Sequence, residues 1–223
     1  MSDVKPSGEK EKYPLKHSDA THFERELVRG FLHQPDHPNG DGLVITHGAG
    51  SNSDTTLLRS VAEAFAKAGV MTLRCDLPFR QQRQKGPPFP AQAARDREGL
   101  RRAVEALREI AGRRVFLGGH SYGGRQATML AAEESNFADA LLLLSYPLHP
   151  PRKPQELRTG HFGSIRIPAL FVHGTRDSFG TIEEMRAALA LIPARTDLAI
   201  VDGAGHSLNP GIAPMCVQRL SVS

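Results

Sequence analysis

The sequence predicts an α/β fold in which helices cover both faces of a mostly parallel β-sheet. From about residue 24 onward, short apolar runs alternate with longer segments that carry helical periodicity. Most of these runs are continuously apolar, which indicates strands that are buried on both faces. Strand–helix alternation with short connections is typical of a three-layer sandwich with right-handed crossovers.

The composition indicates a single soluble domain. The chain has 223 residues, of which 39% are hydrophobic and 23% are charged. The net charge of +4 is modest and no basic run is interleaved with aromatic residues, so nucleic acid is not an expected partner. No run approaches the ~20 apolar residues that span a bilayer, so no membrane association is expected. The two cysteines suit a reduced compartment, and we expect a cytoplasmic protein.

The first 20 residues are expected to form a flexible tail, followed by one domain over residues 21–223. The segment MSDVKPSGEKEKYPLKHS mixes charges of both signs and has no apolar core. It therefore matches neither a signal peptide nor a membrane anchor.

The first half of the domain contains three predicted strands and one predicted helix. The strands are expected at residues 24–34, 42–48 and 70–77. Between the last two lies LLRSVAEAFAKAG, in which the apolar residues recur at helical spacing. We expect Asp54 to cap this helix and Gly69 to end it.

The second half begins with an irregular segment and continues with alternating strands and helices. Residues 78–90, PFRQQRQKGPPFP, are too rich in proline for regular structure. A long helix is expected over about residues 92–111. Four further strands are predicted at 114–119, 138–147, 168–174 and 196–203, and two further helices at 123–134 and 182–191. In such sheets, functional residues collect at the carboxyl ends of the strands.

The stretch GGHSYGG, residues 118–124, joins a predicted strand to a predicted helix. Within it, GHSYG matches G-x-S-x-G, a sharp turn that projects the serine hydroxyl above the sheet. The start of the following helix adds N–H groups and positive dipole character, which stabilise developing negative charge. Ser121 is therefore the candidate nucleophile. The alternative is a glycine-rich turn with an idle serine.

A serine nucleophile needs a base within hydrogen-bond reach and an acid that orients the base. After this kind of turn, the acid and then the histidine follow along the chain. Of the ten histidines, His206 in DGAGHSL lies just past the last strand and is the candidate base. Asp177 in HGTRDSFG is the candidate acid, although it could instead cap a helix. Asp202 is the rival acid, but it lies too close to His206 in sequence to reach its far nitrogen easily.

Two backbone N–H groups are expected to stabilise the negative oxygen of the reacting carbonyl. One belongs to Tyr122, the residue after the nucleophile. The other is expected in HGAG, residues 47–50, which follows the second predicted strand and is a version of the HGGG-type motif. We assign it to Ala49, with Gly50 as the alternative.

The walls of a substrate pocket are expected from the two irregular segments, residues 78–90 and 147–168. Phe79, Arg80 and Tyr146 are the candidate substrate contacts, and the aromatic residues indicate a shallow, partly apolar pocket. Arg80 and its basic neighbours in RQQRQKG could favour an anionic substrate, but a solvated loop is the favoured interpretation.

The stretches HGAG, GHSYGG, HGTRD and GAGHS resemble the α/β-hydrolase superfamily, over about residues 25 to 210. The small size resembles the dienelactone-hydrolase-like branch. Longer stretches, including LSYPLHPPRKPQELRTGHF, are similar to a group of small bacterial hydrolases related to a eukaryotic subunit of a chromatin-acetylation complex. The resemblance implies an eight-stranded sheet whose first strand is antiparallel. No large cap domain is expected, because no insertion of that size separates the predicted strands.

Two departures from that family refine the expected chemistry. Dienelactone hydrolases proper use a cysteine nucleophile, whereas this chain has serine, which favours ester or thioester cleavage. The chain continues for only seventeen residues after His206, so a short or missing final helix is expected.

The expected function is hydrolysis of a small carboxylic ester or thioester through an acyl-enzyme. No cofactor is needed. No metal is expected, because Pro35 separates the possible pair His33 and His37 and no further ligands cluster nearby. A non-catalytic binding or scaffold module on the same fold is the alternative, since the eukaryotic relative is a subunit of a complex. The sequence leaves the oligomeric state open.

Overall fold

The computed structural model describes residues 20–220. The predicted tail over residues 1–20 therefore lies outside the described residues, except for Ala20. In the described part, one sheet contains eight strands: β1 (Ala20–Arg25), β2 (Val28–His33), β3 (Gly42–Thr46), β4 (Met71–Asp76), β5 (Val115–His120), β6 (Leu141–Leu144), β7 (Ala169–Gly174) and β8 (Thr196–Val201). Their order across the sheet is β1-β2-β4-β3-β5-β6-β7-β8.

The amino-terminal end of the sheet differs from the prediction. One strand was expected over residues 24–34, but the chain reverses between β1 and β2, where Leu27 adopts a φ of +59°. Strand β2 pairs antiparallel with both β1 and β4, and all other neighbours are parallel. The second strand, and not the first, thus runs against the rest of the sheet.

Within residues 20–220, six α-helices flank the sheet: α1 (Thr56–Lys67), α2 (Pro78–Gln82), α3 (Ala93–Ala111), α4 (Tyr122–Glu133), α5 (Ile182–Leu189) and α6 (Ala213–Leu220). The expected short final helix is α6, which packs against α1. Three 3-10 turns lie at Pro90–Gln92, Phe162–Ser164 and Pro210–Ile212.

Successive strand residues enter two separate cores, one on each face of the sheet. In β3, Val44 packs with the core under α3, α4 and α5, whereas Leu43 and Ile45 pack with the core under α1 and α6. All three side chains are fully buried. The continuously apolar runs are thus buried on both faces, as the sequence predicts for the middle layer of a three-layer sandwich.

Two local predictions were wrong. Thr55, and not Asp54, caps α1 by accepting a hydrogen bond from the Leu58 N–H at 3.4 Å. The Asp54 carboxylate accepts instead from the buried Arg74 at 2.7 Å, since that guanidinium needs an acceptor. Residues 78–90 are also not wholly irregular, because Pro78 occupies the first turn of α2, where its missing N–H costs nothing.

The topology brings the candidate residues to one edge of the sheet. HGAG follows β3, Ser121 follows β5, Asp177 follows β7 and His206 follows β8. These four strands are parallel, so their carboxyl ends share an edge.

Replacement of Phe65 by alanine is expected to destabilise the fold by about 3–5 kcal/mol, because Phe65 is 1% exposed in the core under α1. The matched change Phe89→Ala, at a ring that is 59% exposed, should cost about 0.5 kcal/mol or less. Urea unfolding followed by far-UV circular dichroism measures both, since the chain has no tryptophan. Equal losses would contradict the assigned core.

Candidate active site

Ser121 lies on a strained turn between β5 and α4. Its φ of 51° and ψ of −114° form a combination that side chains other than glycine rarely adopt. The turn is held on both sides: the Ser121 N–H donates to the Leu144 carbonyl at 2.8 Å, and the Ser121 carbonyl accepts from the Arg125 N–H at 3.0 Å. Paired backbone groups therefore keep the serine in a conformation that raises its side chain above the strand end.

The two glycines of GHSYG permit the backbone crowding around this turn. A Cβ at Gly119 would lie 2.6 Å from the Gly123 carbonyl carbon, and a Cβ at Gly123 would lie 2.6 Å from the His47 carbonyl oxygen. Both distances are far below van der Waals contact, and the groups that would be struck are backbone. Glycine at these positions lets β5, α4 and the loop after β3 converge on Ser121.

Hydrogen bonds join Ser121, His206 and Asp177 in a chain. His206 Nε2 lies 2.8 Å from Ser121 Oγ, and His206 Nδ1 lies 2.8 Å from Asp177 Oδ2 and 3.0 Å from Oδ1. The rival acid Asp202 accepts instead from the Thr175 hydroxyl at 3.2 Å. The structure thus brings together the three residues that the sequence selected.

The environment of Asp177 keeps its carboxylate ionised. Burial would raise its pKa, but hydrogen bonds from His206 and from the Phe179 N–H at 2.9 Å outweigh burial and hold the pKa below its usual range. A carboxylate only accepts hydrogen bonds, so Nδ1 of His206 carries the proton. Nε2 then accepts from the Ser121 hydroxyl, as a general base must.

Two further residues position His206, and the sequence analysis missed both. The Phe179 ring stacks on the imidazole, with the ring centroids 4.1 Å apart. His120 Nε2 lies 2.8 Å from the His206 carbonyl oxygen and donates to it. Burial lowers the pKa of His120, which keeps this imidazole neutral at pH 7. His120 lies inside the GHSYG motif, so the motif could have indicated its role. No local sequence pattern indicated a role for Phe179.

The loop after β3 lies directly against the candidate nucleophile. A Cβ at Gly48 would be 3.4 Å from Ser121 Cβ and 3.1 Å from His120 Nδ1. The next N–H, that of Ala49, and the N–H of Tyr122 have no acceptor among residues 20–220. The Tyr122 hydroxyl donates to Asp96 at 2.8 Å and anchors the start of α4. Two backbone donors without an acceptor in this range thus belong to the loop against Ser121 and to the residue that follows Ser121.

Arg80 braces this loop and does not face a substrate, contrary to expectation. Its side chain is 5% exposed and donates to the carbonyls of Ala49 at 2.9 Å and Ser51 at 2.8 Å. It also donates to the carbonyls of Arg83 and Gly86, at 3.1 and 3.0 Å. The guanidinium is drawn inside because several carbonyls without other partners converge on it. The basic stretch is therefore not simply a solvated loop.

His47 supports the same loop from below. Burial lowers its pKa to about 4, so the ring is neutral. Its Nδ1 donates to the Gly48 carbonyl at 2.8 Å, and its Nε2 accepts from the Leu77 N–H at 3.1 Å. This neutral tautomer ties the loop after β3 to the end of β4.

The other two candidate substrate contacts are core residues. Phe79 is 1% exposed and packs against the rings of His47 and Tyr122. Tyr146 is also 1% exposed, and its hydroxyl donates to the Arg158 carbonyl at 2.7 Å. Burial of these large rings gains more free energy than their exposure in an open pocket wall would.

A cavity of about 300 Å³ lies beside His120. The loops after β3 and β8, together with the start of α1, form its walls, in place of residues 78–90 and 147–168. The lining residues are Ser51, Thr55, Thr56, Leu57, His120, Ser207, Leu208 and Pro210. Hydroxyl groups and apolar side chains thus both border the space next to the candidate site.

A family model described as an alpha/beta hydrolase domain matches residues 40–214, which include every residue of this site. The chain belongs to the α/β-hydrolase family. The match confirms the predicted fold class, and the eight-stranded, mostly parallel sheet agrees with it.

Solved α/β hydrolases share the fold over nearly their whole length. A serine hydrolase homologue from Coxiella burnetii has a TM-score of 0.73 at 15% identity, covering 93% of this chain and 100% of that one. Dienelactone hydrolase from Anabaena variabilis has a TM-score of 0.69 at 22% identity, covering 91% of this chain and 95% of that one. At these identities the likeness concerns the fold alone.

Proteins from two strains of Mycobacterium tuberculosis are similar in sequence. They are 29% identical over 181 residues, which make up 80% of this chain and 39% of theirs. The chain thus spans about two-fifths of the length of these relatives. Their name assigns them provisionally to the phosphoribosyl transferases.

Residues 20–220 contain neither a candidate metal site nor a candidate membrane-spanning helix. No group of three or more His, Cys, Asp or Glu side chains there could hold a metal ion. No helix in the same range is long and apolar enough to cross a membrane.

Replacement of Arg80 by methionine removes the donors that hold the carbonyls of Ala49 and Ser51 in the loop after β3. We expect the backbone amides of residues 48–52 to exchange with solvent about 10- to 100-fold faster, measured by hydrogen–deuterium exchange. Arg83→Met is the control, because the Arg83 side chain stacks on Phe89 and donates to the Pro87 carbonyl instead. Equal exchange in the two variants would show that Arg80 does not brace the loop.

Proposed function

We propose that this α/β hydrolase is a serine hydrolase that cleaves small carboxylic esters or thioesters through an acyl-enzyme. The observation that carries the proposal is the chain of hydrogen bonds from Ser121 through His206 to Asp177, each 2.8 Å at its shortest. An imidazole that contacts a serine hydroxyl and is oriented by a buried carboxylate is the arrangement that removes the serine proton.

In the acylation step, the Ser121 oxygen attacks the ester carbonyl carbon while Nε2 of His206 takes the hydroxyl proton. The carbonyl π electrons move to oxygen, and that oxyanion accepts hydrogen bonds from the N–H groups of Ala49 and Tyr122. When the tetrahedral intermediate collapses, the imidazolium gives its proton to the departing alcohol or thiol. The product of this half-reaction is an ester of Ser121.

Deacylation repeats the same transfers with water. His206 takes a proton from the attacking water, and the second tetrahedral intermediate expels the Ser121 oxygen, which recovers a proton from the imidazolium. Asp177 stays ionised throughout and stabilises the imidazolium each time it forms. Each of the two N–H donors should contribute about 100- to 1,000-fold to the rate.

The cavity beside His120 is consistent with a small substrate, since at about 300 Å³ it falls at the lower end of the range of ligand pockets. A second cavity, of about 880 Å³, is lined by the loop that carries His206. The dienelactone hydrolase among the structural neighbours has a small ester-type substrate by name, and that class is consistent with the cavity beside His120.

We do not propose for this chain the transferase activity that the name of the Mycobacterium relatives contains. That name describes proteins of which this chain matches only 39%, and the Ser–His–Asp arrangement supports acyl transfer to water. The alternative of a non-catalytic scaffold accounts for the fold, but it gives no role to the hydrogen bonds of His206 with Ser121 and Asp177 or to the N–H donors of Ala49 and Tyr122.

Ser121 is expected to react with a fluorophosphonate probe, and the Ser121→Ala variant is expected not to react. Asp177→Asn should slow labelling by about 10⁴-fold, because His206 then loses the acceptor that fixes its tautomer. Labelling is measured by intact mass and by mapping the modified peptide.

The matched control is Ser135→Ala, at an exposed serine that follows α4. This variant should label like the wild type. Folded wild-type protein that leaves Ser121 unmodified would overturn the enzyme assignment and favour the scaffold.

A further inference from the structure

A cluster of basic side chains lies against α4, just past Ser121. It consists of Arg125 on the helix and of Arg158 and His161 on the segment between β6 and β7. The mechanism proposed above uses none of the three.

The segment that carries Arg158 and His161 is fixed firmly over α4. The Arg158 carbonyl accepts from the Tyr146 hydroxyl at 2.7 Å, and the next aromatic residue, Phe162, is fully buried. His161 Nε2 donates to the Thr128 hydroxyl oxygen at 2.8 Å, while that hydroxyl donates to the Arg125 carbonyl. The segment that carries Arg158 is thus fixed against the turn of α4 that carries Arg125.

Neither arginine has an acidic partner among residues 20–220. The neighbouring Arg97 pairs with Glu133 at 3.0 Å, whereas Arg125 and Arg158 form no ion pair. Arg125 Nε is buried without any hydrogen-bond acceptor, and Arg158 makes one long contact, from Nη1 to the Pro147 carbonyl at 3.3 Å. Glu156 is close in sequence, but it pairs with Lys153 at 2.9 Å. Two half-buried cations are therefore left without a counter-ion.

The charges of this cluster act on one another. Burial lowers the pKa of Arg158, and the positive charge of Arg125 lowers it further. Burial, followed by the charges of Arg125 and Arg97, lowers the pKa of His161 to about 4, so this imidazole adds no charge at pH 7. An arrangement that keeps two like charges close is unfavourable unless an anion binds between them.

The cluster lies at the end of α4 that begins at the candidate nucleophile. Arg125 follows Ser121 by four residues, which is about 6 Å along the helix axis. Side chains on a helix lean toward its amino terminus, and Ser121 is the residue that precedes the first turn of α4.

We propose that Arg125 and Arg158 form an anion subsite that binds a carboxylate or phosphate group carried by the ester substrate itself. This inference rests on the proposed function, because it names the substrate class of the same site. Guanidinium groups suit either anion, since their N–H donors match the paired oxygens of both. The preference for an anionic substrate that the sequence suggested for Arg80 is thus assigned to two other arginines.

The substrate class is tested with two esters of the same shape, monoethyl succinate and ethyl 4-methylpentanoate. They differ in whether a carboxylate or an isopropyl group ends the acyl chain. We expect the wild type to hydrolyse the acidic ester with a higher kcat/KM, and 1 M salt to reduce that preference.

Arg125→Met and Arg158→Met should each lower kcat/KM for the acidic ester about 10- to 100-fold and change that for the neutral ester less than about threefold. Arg125→Lys should recover part of the loss. Arg186→Met, at an exposed arginine on α5, is the control and should retain the wild-type preference. No acid preference in the wild type, or equal losses on both esters, would overturn the subsite.

Binding without turnover separates this inference from the proposed function. In the Ser121→Ala background, succinate and inorganic phosphate should each raise the melting temperature, and the added change Arg125→Met should abolish the rise. The anion with the larger effect identifies the group that the substrate carries.

Arginine-dependent binding by a protein that fails to label at Ser121 would sink the hydrolase proposal and leave the subsite standing. Ester hydrolysis without arginine-dependent anion binding would overturn the subsite and leave the hydrolase proposal standing.

Discussion

The strained backbone at Ser121 is the constraint on which the rest of the site depends. A φ of 51° at a serine is unfavourable by about 1–3 kcal/mol, and it persists because α4, β6 and the loop after β3 all close on the same turn. That closure requires the absence of side chains at Gly119 and Gly123, where even one methyl group would strike backbone atoms. The serine hydroxyl is thereby placed at the carboxyl edge of the sheet, where the loops that carry Asp177 and His206 also lie.

The loops around this turn are held by buried polar groups and not by apolar packing alone. Arg80 and the neutral His47 fix the loop after β3, while His120 and Phe179 fix the carbonyl and the ring of His206. Each of these interactions leaves the reacting atoms free. Because these side chains hold the loop in place, N–H groups next to Ser121 can remain without an acceptor.

The sequence predicted the fold and the placement of Ser121, Asp177 and His206 well, because strand burial and strand ends leave local patterns. Runs such as LLLL are apolar at every position, and the candidate residues stand directly after them. The side chains of Arg80 and Tyr146 could not be placed in this way. A basic stretch looks solvated, and nothing nearby in sequence reveals that carbonyls from residues 49 and 51 converge on Arg80. The same holds for Arg158, which reaches α4 from a segment that is distant in sequence from Arg125.

The most direct measurement is of the acyl-enzyme itself. Protein mixed with a 4-nitrophenyl ester and quenched in acid during turnover is digested and examined by mass spectrometry. The account predicts one acyl group on the peptide that contains Ser121, present in the wild type and absent in Ser121→Ala. Continued hydrolysis with the acyl group on another residue, or on none, would contradict a mechanism that passes through Ser121.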